Sequence, residues 1–166
     1  MKIAYILTLS SHYGGAQVHI RDLTKWMKDH GHDPVLLSGQ PGTVSETVQS
    51  NGVAFYEVKD LDRSIHLWKD LKAIVQTRKI LKEIQPDIVS CHSSKAGIVG
   101  RLAAWSLGIP VIFTAHGWAF TEGVSKRKRQ IFARIEKLYA KITRHIITVS
   151  RYDKFLALDR HVTHPD

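Results

Sequence analysis

Residues 87–117, DIVSCHSSKAGIVGRLAAWSLGIPVIFTAHG, decide how this chain folds. Two apolar runs of strand length, DIVSC (Asp87–Cys91) and PVIFTA (Pro110–Ala115), bracket a helical stretch from Lys95 to Leu107. Strands this apolar need cover on both faces, which strand–helix–strand units in a parallel sheet supply. The same alternation runs outward in both directions. KIAYIL (Lys2–Leu7), PVLLS (Pro34–Ser38) and VAFYEV (Val53–Val58) read as strands one to three, and HIITV (His145–Val149) as the sixth. Between them the apolar spacing predicts helices over about 15–30, 44–50, 65–84 and 127–142. The last sixteen residues read as a short helix and a frayed tail, DRHVTHPD.

Local signals fix the ends of these elements. Gly31 is placed to cap the first helix, and Pro86 closes the one before strand four. On the 65–84 helix, Trp68, Leu71, Ile74, Val75 and Leu81 are the expected buried stripe, with Lys69, Lys72, Lys79 and Lys82 facing outward. Right-handed crossovers then lead to a doubly wound, Rossmann-like α/β sheet of order 3-2-1-4-5-6 with helices on both faces. One domain is expected to span residues 1–166.

Such a sheet reverses direction between strands one and four, opening a crevice at the carboxyl ends of the strands. Residues that carry chemistry should therefore follow strands one, four and five. Ser10, Ser11, His12 and Gly14-Gly15 follow the first, His92, Ser93, Ser94 and Lys95 the fourth, and His116-Gly117 the fifth. Their convergence is more specific than any one of them.

Composition narrows the function class. With 43% hydrophobic and 23% charged residues in 166, the chain suits one compact domain. No apolar run is long enough for a membrane-spanning helix, and MKIAYILTLSS reads as a first strand rather than a signal peptide. Cys91 is the only cysteine, which excludes an internal disulfide and fits a reducing cytoplasm. A net charge of +9 implies attraction to something acidic, such as phosphorylated substrates, an anionic membrane or nucleic acid.

Each motif has a plain reading beside the chemical one. Gly14-Gly15 lets backbone approach a ligand at a helix start, where free N–H groups attract phosphate; a tight turn is the plain alternative. Neither GxGxxG nor a P-loop is present, and SGQPG follows strand two where a ribose-binding carboxylate would stand, so a nicotinamide cofactor is not expected. Ser93 or Ser94 can serve simply as a helix N-cap, while Lys95 can meet a phosphate or sugar hydroxyl. His92 reads equally as structural or functional. His116 is the strongest single candidate, able to donate to a hydroxyl or stabilise an anion. Cys91 and His92 point to opposite strand faces and make a poor nucleophile–base pair. No HExxH, Cys/His cluster or GxSxG elbow appears, so neither a metal site nor a serine hydrolase is expected. Residues 125–144, SKRKRQIFARIEKLYAKITR, hold eight Lys/Arg against one Glu, led by Lys126, Arg127, Lys128 and Arg129. This is either a solvated face or an anion-binding one.

GGAQVHIRDL, HSSKAGIVGRLAAWSLGIPVIFTAHGWAF and ITVS together resemble the amino-terminal domain of glycosyltransferase family 4, from Met1 to about Arg151. The likeness is to the GT-B enzymes that build bacterial capsule, exopolysaccharide or O-antigen. The resemblance implies retaining, metal-independent and cofactor-free transfer of a sugar from a nucleotide-sugar donor, UDP-linked, to a lipid-linked or polysaccharide acceptor. It assigns Gly14 and Gly15 to the donor phosphates and His116 to the transferring sugar as the catalytic residue. It puts Gln17, His19, His92, Ser93, Ser94, Lys95 and Gly117 on the acceptor side. Lys126 to Arg129 are then expected to touch the anionic inner face of the cell membrane from the cytoplasm, with no nucleic acid involved. The family's carboxy-terminal domain, with its paired glutamates spaced eight apart, is missing, so the chain is expected to be inactive alone. Two alternatives stand: a non-enzymatic basic module for membrane or nucleic acid, and a UDP-sugar epimerase of the same fold. Against the epimerase, the three strand-end loops bring no acidic residue.

Overall fold

The computed structural model describes residues 1–11 and 14–163. His12 lies outside them, so its place after the first strand is not described. Among the described residues, six strands and six helices alternate: β1 (Lys2–Leu7), α1 (Gly15–Asp29), β2 (Asp33–Ser38), α2 (Thr43–Ser50), β3 (Ala54–Glu57), α3 (Leu67–Ile84), β4 (Ile88–His92), α4 (Ser94–Trp105), β5 (Val111–Ala115), α5 (Lys126–Ala140), β6 (His145–Thr148) and α6 (Arg151–Asp159). All strand pairs are parallel and the order is β3-β2-β1-β4-β5-β6, as expected from the alternation.

Strand pleating divides the core. On β1, Ile3, Tyr5 and Leu7 pack with Ile20 of α1 and Val44 and Val48 of α2. Ala4 and Ile6 face the other way, onto a cluster that takes in Ala73 and Leu81 of α3, Val99 of α4, Ala133 of α5 and Leu156 of α6. A two-residue period on apolar strands thus feeds two cores from one run of sequence. α4 lies close to the sheet because Gly97 has no side chain: a Cβ there would stand 2.6 Å from Phe113 Cε2. That approach seats Arg101 as a buried cation, 2.7 Å from Glu136 Oε2 and 4.2 Å above the Phe113 ring.

Two expectations need correction. On α3 the buried stripe is Ala73, Thr77, Leu81 and Ile84, while Trp68, Leu71 and Val75 are exposed by 77%, 45% and 66%. Small residues face inward because α3 packs tightly on α4, so helical spacing was right but the inward face was not the one with the largest side chains. On α5, Ala133 and Glu136 are buried, while Ile131 and Leu138 are exposed. The tail is not wholly frayed, since Val162 is buried in the core. No helix among the described residues is long and apolar enough to cross a membrane.

Candidate functional site

A cavity of about 510 Å3 opens at the carboxyl edge of the sheet. Thr8 after β1, Gly15 and Gln17 at the start of α1, Ser93–Lys95 after β4 and His116-Gly117 after β5 all line it. The three loops expected to meet do meet. Gly14 is the N-cap residue of α1 at this mouth, and Gly15 begins the helix, so its free N–H end faces the site.

The turns that present these groups are built locally. Gly117 has φ +117, a conformation that L side chains rarely adopt, and it turns the chain directly after His116. Behind it Trp118 stacks on Phe120 and donates its indole N–H to the Asp153 carbonyl, anchoring the turn to α6. Ser93 carries φ 78 and ψ 152, a conformation costly for a residue with a Cβ. Ser93 does stand at the N-cap of α4, but its hydroxyl makes no capping bond and instead bonds Thr8 Oγ1 at 2.7 Å. Thr8 Oγ1 in turn accepts the Ala96 N–H, so the cap of α4 comes from the neighbouring strand. Ser94, the first residue of the helix, lines the cavity.

Histidines form the chemical centre. His116 Nε2 lies 3.0 Å from His92 Nδ1, and His92 Nε2 lies 2.9 Å from Ser90 Oγ. The His19 ring stands edge-on to His116, with centroids 5.3 Å apart. Burial holds His92 at about 3, well below the ordinary 6.5, and the His116 and His19 charges push the same way. His116 is also lowered, by burial first and then by His19, with Asp153 opposing. At neutral pH, both His92 and His116 are therefore neutral imidazoles, each with one N–H.

Several assignments change with the geometry. His92 is only 1% exposed, ends β4 behind His116 and does not line the cavity. Lys95 is not a free cation, since its ammonium pairs with Asp70 and bonds the Ser64 carbonyl, which ties α4 to the start of α3. Gln17 lines the cavity but is largely buried, its amide held by the Leu9 carbonyl at 3.2 Å. His19 is exposed and reaches the site through its ring contacts rather than by lining the cavity. Ser10 is buried, with its hydroxyl on the Gln40 carbonyl, and braces the β1–α1 loop. Lys126–Arg129 form the first turn of α5 and do not line the cavity.

Sequence reasoning missed Thr8 and Arg63. Thr8 directly follows β1, and the strand-end rule reaches it. Arg63 sits in the loop before α3 and lines the cavity without a charge partner among the described residues; nothing in its local sequence marks it. Among the described residues, no Asp or Glu lines the cavity. The ligand-capable nitrogens of His19, His92 and His116 lie within 4.8 Å of one another, a grouping that spacing along the chain does not reveal. A metal there would have to displace the hydrogen bonds that occupy both His92 nitrogens.

Comparison with known proteins adds to this geometry. The model of a family described as Glycosyltransferase Family 4 matches residues 13–165. An Escherichia coli UDP-Gal:alpha-D-GlcNAc-diphosphoundecaprenol alpha-1,3-galactosyltransferase is 31% identical over 159 residues, covering 95% of this chain and 41% of the relative. The Escherichia coli O-antigen biosynthesis glycosyltransferase WbnH is 25% identical over 159 residues, 96% of this chain and 45% of its own. The chain thus spans less than half the length of these relatives. Among solved structures, Anabaena Alr3699/HepE in complex with UDP-glucose superposes with a TM-score of 0.76 at 15% identity, covering 96% of this chain and 40% of that one. At that identity the likeness establishes the fold.

Proposed function

The chain belongs to Glycosyltransferase Family 4, and on that premise we propose that it is the amino-terminal, acceptor-side domain of a retaining hexosyltransferase. The enzyme moves a sugar from a UDP-linked donor to a lipid-linked or polysaccharide acceptor, at the cytoplasmic face of the cell membrane. The observation that carries this reading is the cavity itself. It joins a helix N-terminus with glycine backbone, hydroxyls, Arg63 and a neutral imidazole, and among the described residues its wall holds no carboxylate and Arg63 has no charge partner.

In this reading Gly14, Gly15 and the start of α1 receive donor phosphate, where amide N–H groups and the helix dipole both favour an anion. His116 offers a hydrogen bond to the transferring sugar, and Ser93, Ser94 and Gln17 line the acceptor side. Arg63 supplies the positive charge that Lys95, already paired with Asp70, cannot. With no carboxylate among the described lining residues, this half-site has no counterpart to the paired acidic residues that a carboxy-terminal domain would bring. An epimerase would need acids that this wall does not contain. A purely basic binding module does not account for the convergence of three loops on one cavity.

Two surfaces support the membrane part of the reading. Ile65, Leu67, Trp68, Leu71 and Val75 are exposed together at the start of α3, next to the Ser64 that Lys95 holds and with Lys69 and Lys72 among them. An exposed apolar ridge with flanking lysines is suited to an anionic lipid surface. Lys126–Arg129 place four cations in the first turn of α5, with no acidic residue there to offset the positive helix end, which an anionic surface would relieve. Each basic residue near such a surface contributes about 1 kcal/mol.

The test is direct. The 166-residue chain is incubated with UDP-sugars and a diphosphoundecaprenol-linked sugar, alone and joined to a carboxy-terminal half from a family member. Transfer is expected only from the joined protein, and His116→Ala should lower its kcat by roughly 10²–10³ with an unchanged circular dichroism spectrum. Transfer by the chain alone would refute the half-site reading, and an unaffected His116→Ala would remove that residue from the site.

A further inference from the structure

The hydrogen bonds behind His116 form a line with only one complete arrangement of protons. Ser90 and His92 share a face of β4, Ser90 Oγ is 2.9 Å from His92 Nε2, and His92 Nδ1 is 3.0 Å from His116 Nε2. His92 is only 1% exposed, with the Tyr5 ring 6.0 Å and the His19 ring 5.6 Å away, so its own ring nitrogens are shielded from water. A neutral imidazole carries one proton on two nitrogens. If Ser90 O–H donates to His92 Nε2, then His92 Nδ1–H donates to His116 Nε2, and every group is satisfied. If the line runs the other way, His116 Nε2–H donates to His92 and His92 Nε2–H donates to Ser90. The buried Ser90 hydroxyl proton then has no acceptor among the described residues, and an unsatisfied buried donor is strongly disfavoured.

Building on the reading of His116 as the sugar-facing group, we propose that His92 is a positioning residue: the Ser90–His92 pair fixes His116 as the tautomer with Nε2 accepting and Nδ1–H free to donate. His116 lines the cavity, and among the described residues its one hydrogen bond uses Nε2, which leaves the Nδ1 proton for a ligand in the site. A sugar hydroxyl or developing oxyanion therefore meets a donor rather than a lone pair, and the ring is held without a carboxylate behind it. The more familiar carboxylate–histidine pairing would favour the charged imidazolium; a neutral histidine and a serine set the tautomer while leaving His116 uncharged. Ser90 does not touch the ligand, and nothing in its sequence context distinguishes it from any buried strand serine.

Tautomers are read by long-range ¹H–¹⁵N NMR on the ¹⁵N-labelled 166-residue chain at neutral pH, without substrate. Wild type should show His116 with a protonated, pyrrole-type Nδ1 and a pyridine-type Nε2. His92→Phe removes the donor, and the two His116 nitrogens should move to averaged positions as both tautomers become populated. Ser90→Ala removes only the hydroxyl at the end of the line, spares the packing, and should produce the same averaging. His92→Gln, whose amide N–H can donate to His116, should retain the wild-type pattern in part. A pyridine-type Nδ1 on His116 in wild type would overturn the proposal. So would a His116 pattern unchanged in folded Ser90→Ala and His92→Phe. Because no sugar is present, these outcomes are independent of whether the enzyme transfers one, which the turnover test decides.

Discussion

Acidification should unfold this protein through His92, and by a calculable amount. Burial holds its imidazole at about 3, against 6.5 in an accessible histidine. The sign follows from linkage: the unfolded chain binds a proton below 6.5 that the native state refuses until about 3, so stability is full above 6.5 and is lost as pH falls between them. One pKa unit corresponds to about 1.4 kcal/mol, so the whole window carries on the order of 5 kcal/mol, a large share of a typical domain's stability. Between pH 7 and pH 5 the expected loss is about 2 kcal/mol. Only 1% of His92 is exposed, so solvent does little to soften it. The groups that face it are His116, His19 and the Tyr5 ring, and the first two add to the penalty when protonated. The assay is urea unfolding of wild type and His92→Gln at pH 7 and pH 5. Other titrating groups act in both proteins, so the difference of differences isolates residue 92. Wild type should lose about 2 kcal/mol more than the variant over this interval. Equal losses would refute the reasoning, because they would mean that residue 92 reaches its proton as readily folded as unfolded.

Three further outcomes follow from the packing. Arg101 and Glu136 are both buried, and burial raises the Glu136 carboxyl despite the guanidinium beside it. Truncating either one alone should cost about 3–5 kcal/mol in denaturant unfolding, whereas Arg101→Met with Glu136→Leu should come close to neutral; two additive losses would contradict this. At Ser93, glycine relieves the φ 78 backbone while alanine keeps it, and both lose the bond to Thr8. Ser93→Gly should therefore be more stable than Ser93→Ala by about 1–3 kcal/mol, and equal melting of the two would show that the turn is unstrained. Cys91 is fully buried with its thiol raised to about 12, so a disulfide exchange reagent at pH 8 should label it only after denaturant is added; rapid labelling of native protein would place it at the surface.

The order of elements and the sheet topology were legible in the sequence because both rest on local facts. Apolar runs such as KIAYIL and VIFTA, the helical stretches between them and the handedness of crossovers leave one arrangement standing. The rim of the sheet follows from the same topology, which is why Gly15, Ser93, Ser94 and His116 share one edge and line one cavity. Side-chain roles were not legible, since they depend on what lies opposite. Helical spacing identified an apolar face on α3 but could not reveal that Ala73 and Thr77 would meet α4 while Trp68 and Val75 remained exposed. The same limit applied at the site: Lys95 is cancelled by Asp70, which lies 25 positions earlier, while Arg63 has no charge partner among the described residues. His92 and His116 stand 24 positions apart in sequence and 3.0 Å apart in space. Periodicity is a property of a segment and survives in one dimension. Burial, charge pairing and hydrogen-bond direction are properties of pairs, and the partners exist only once the sheet has closed around them.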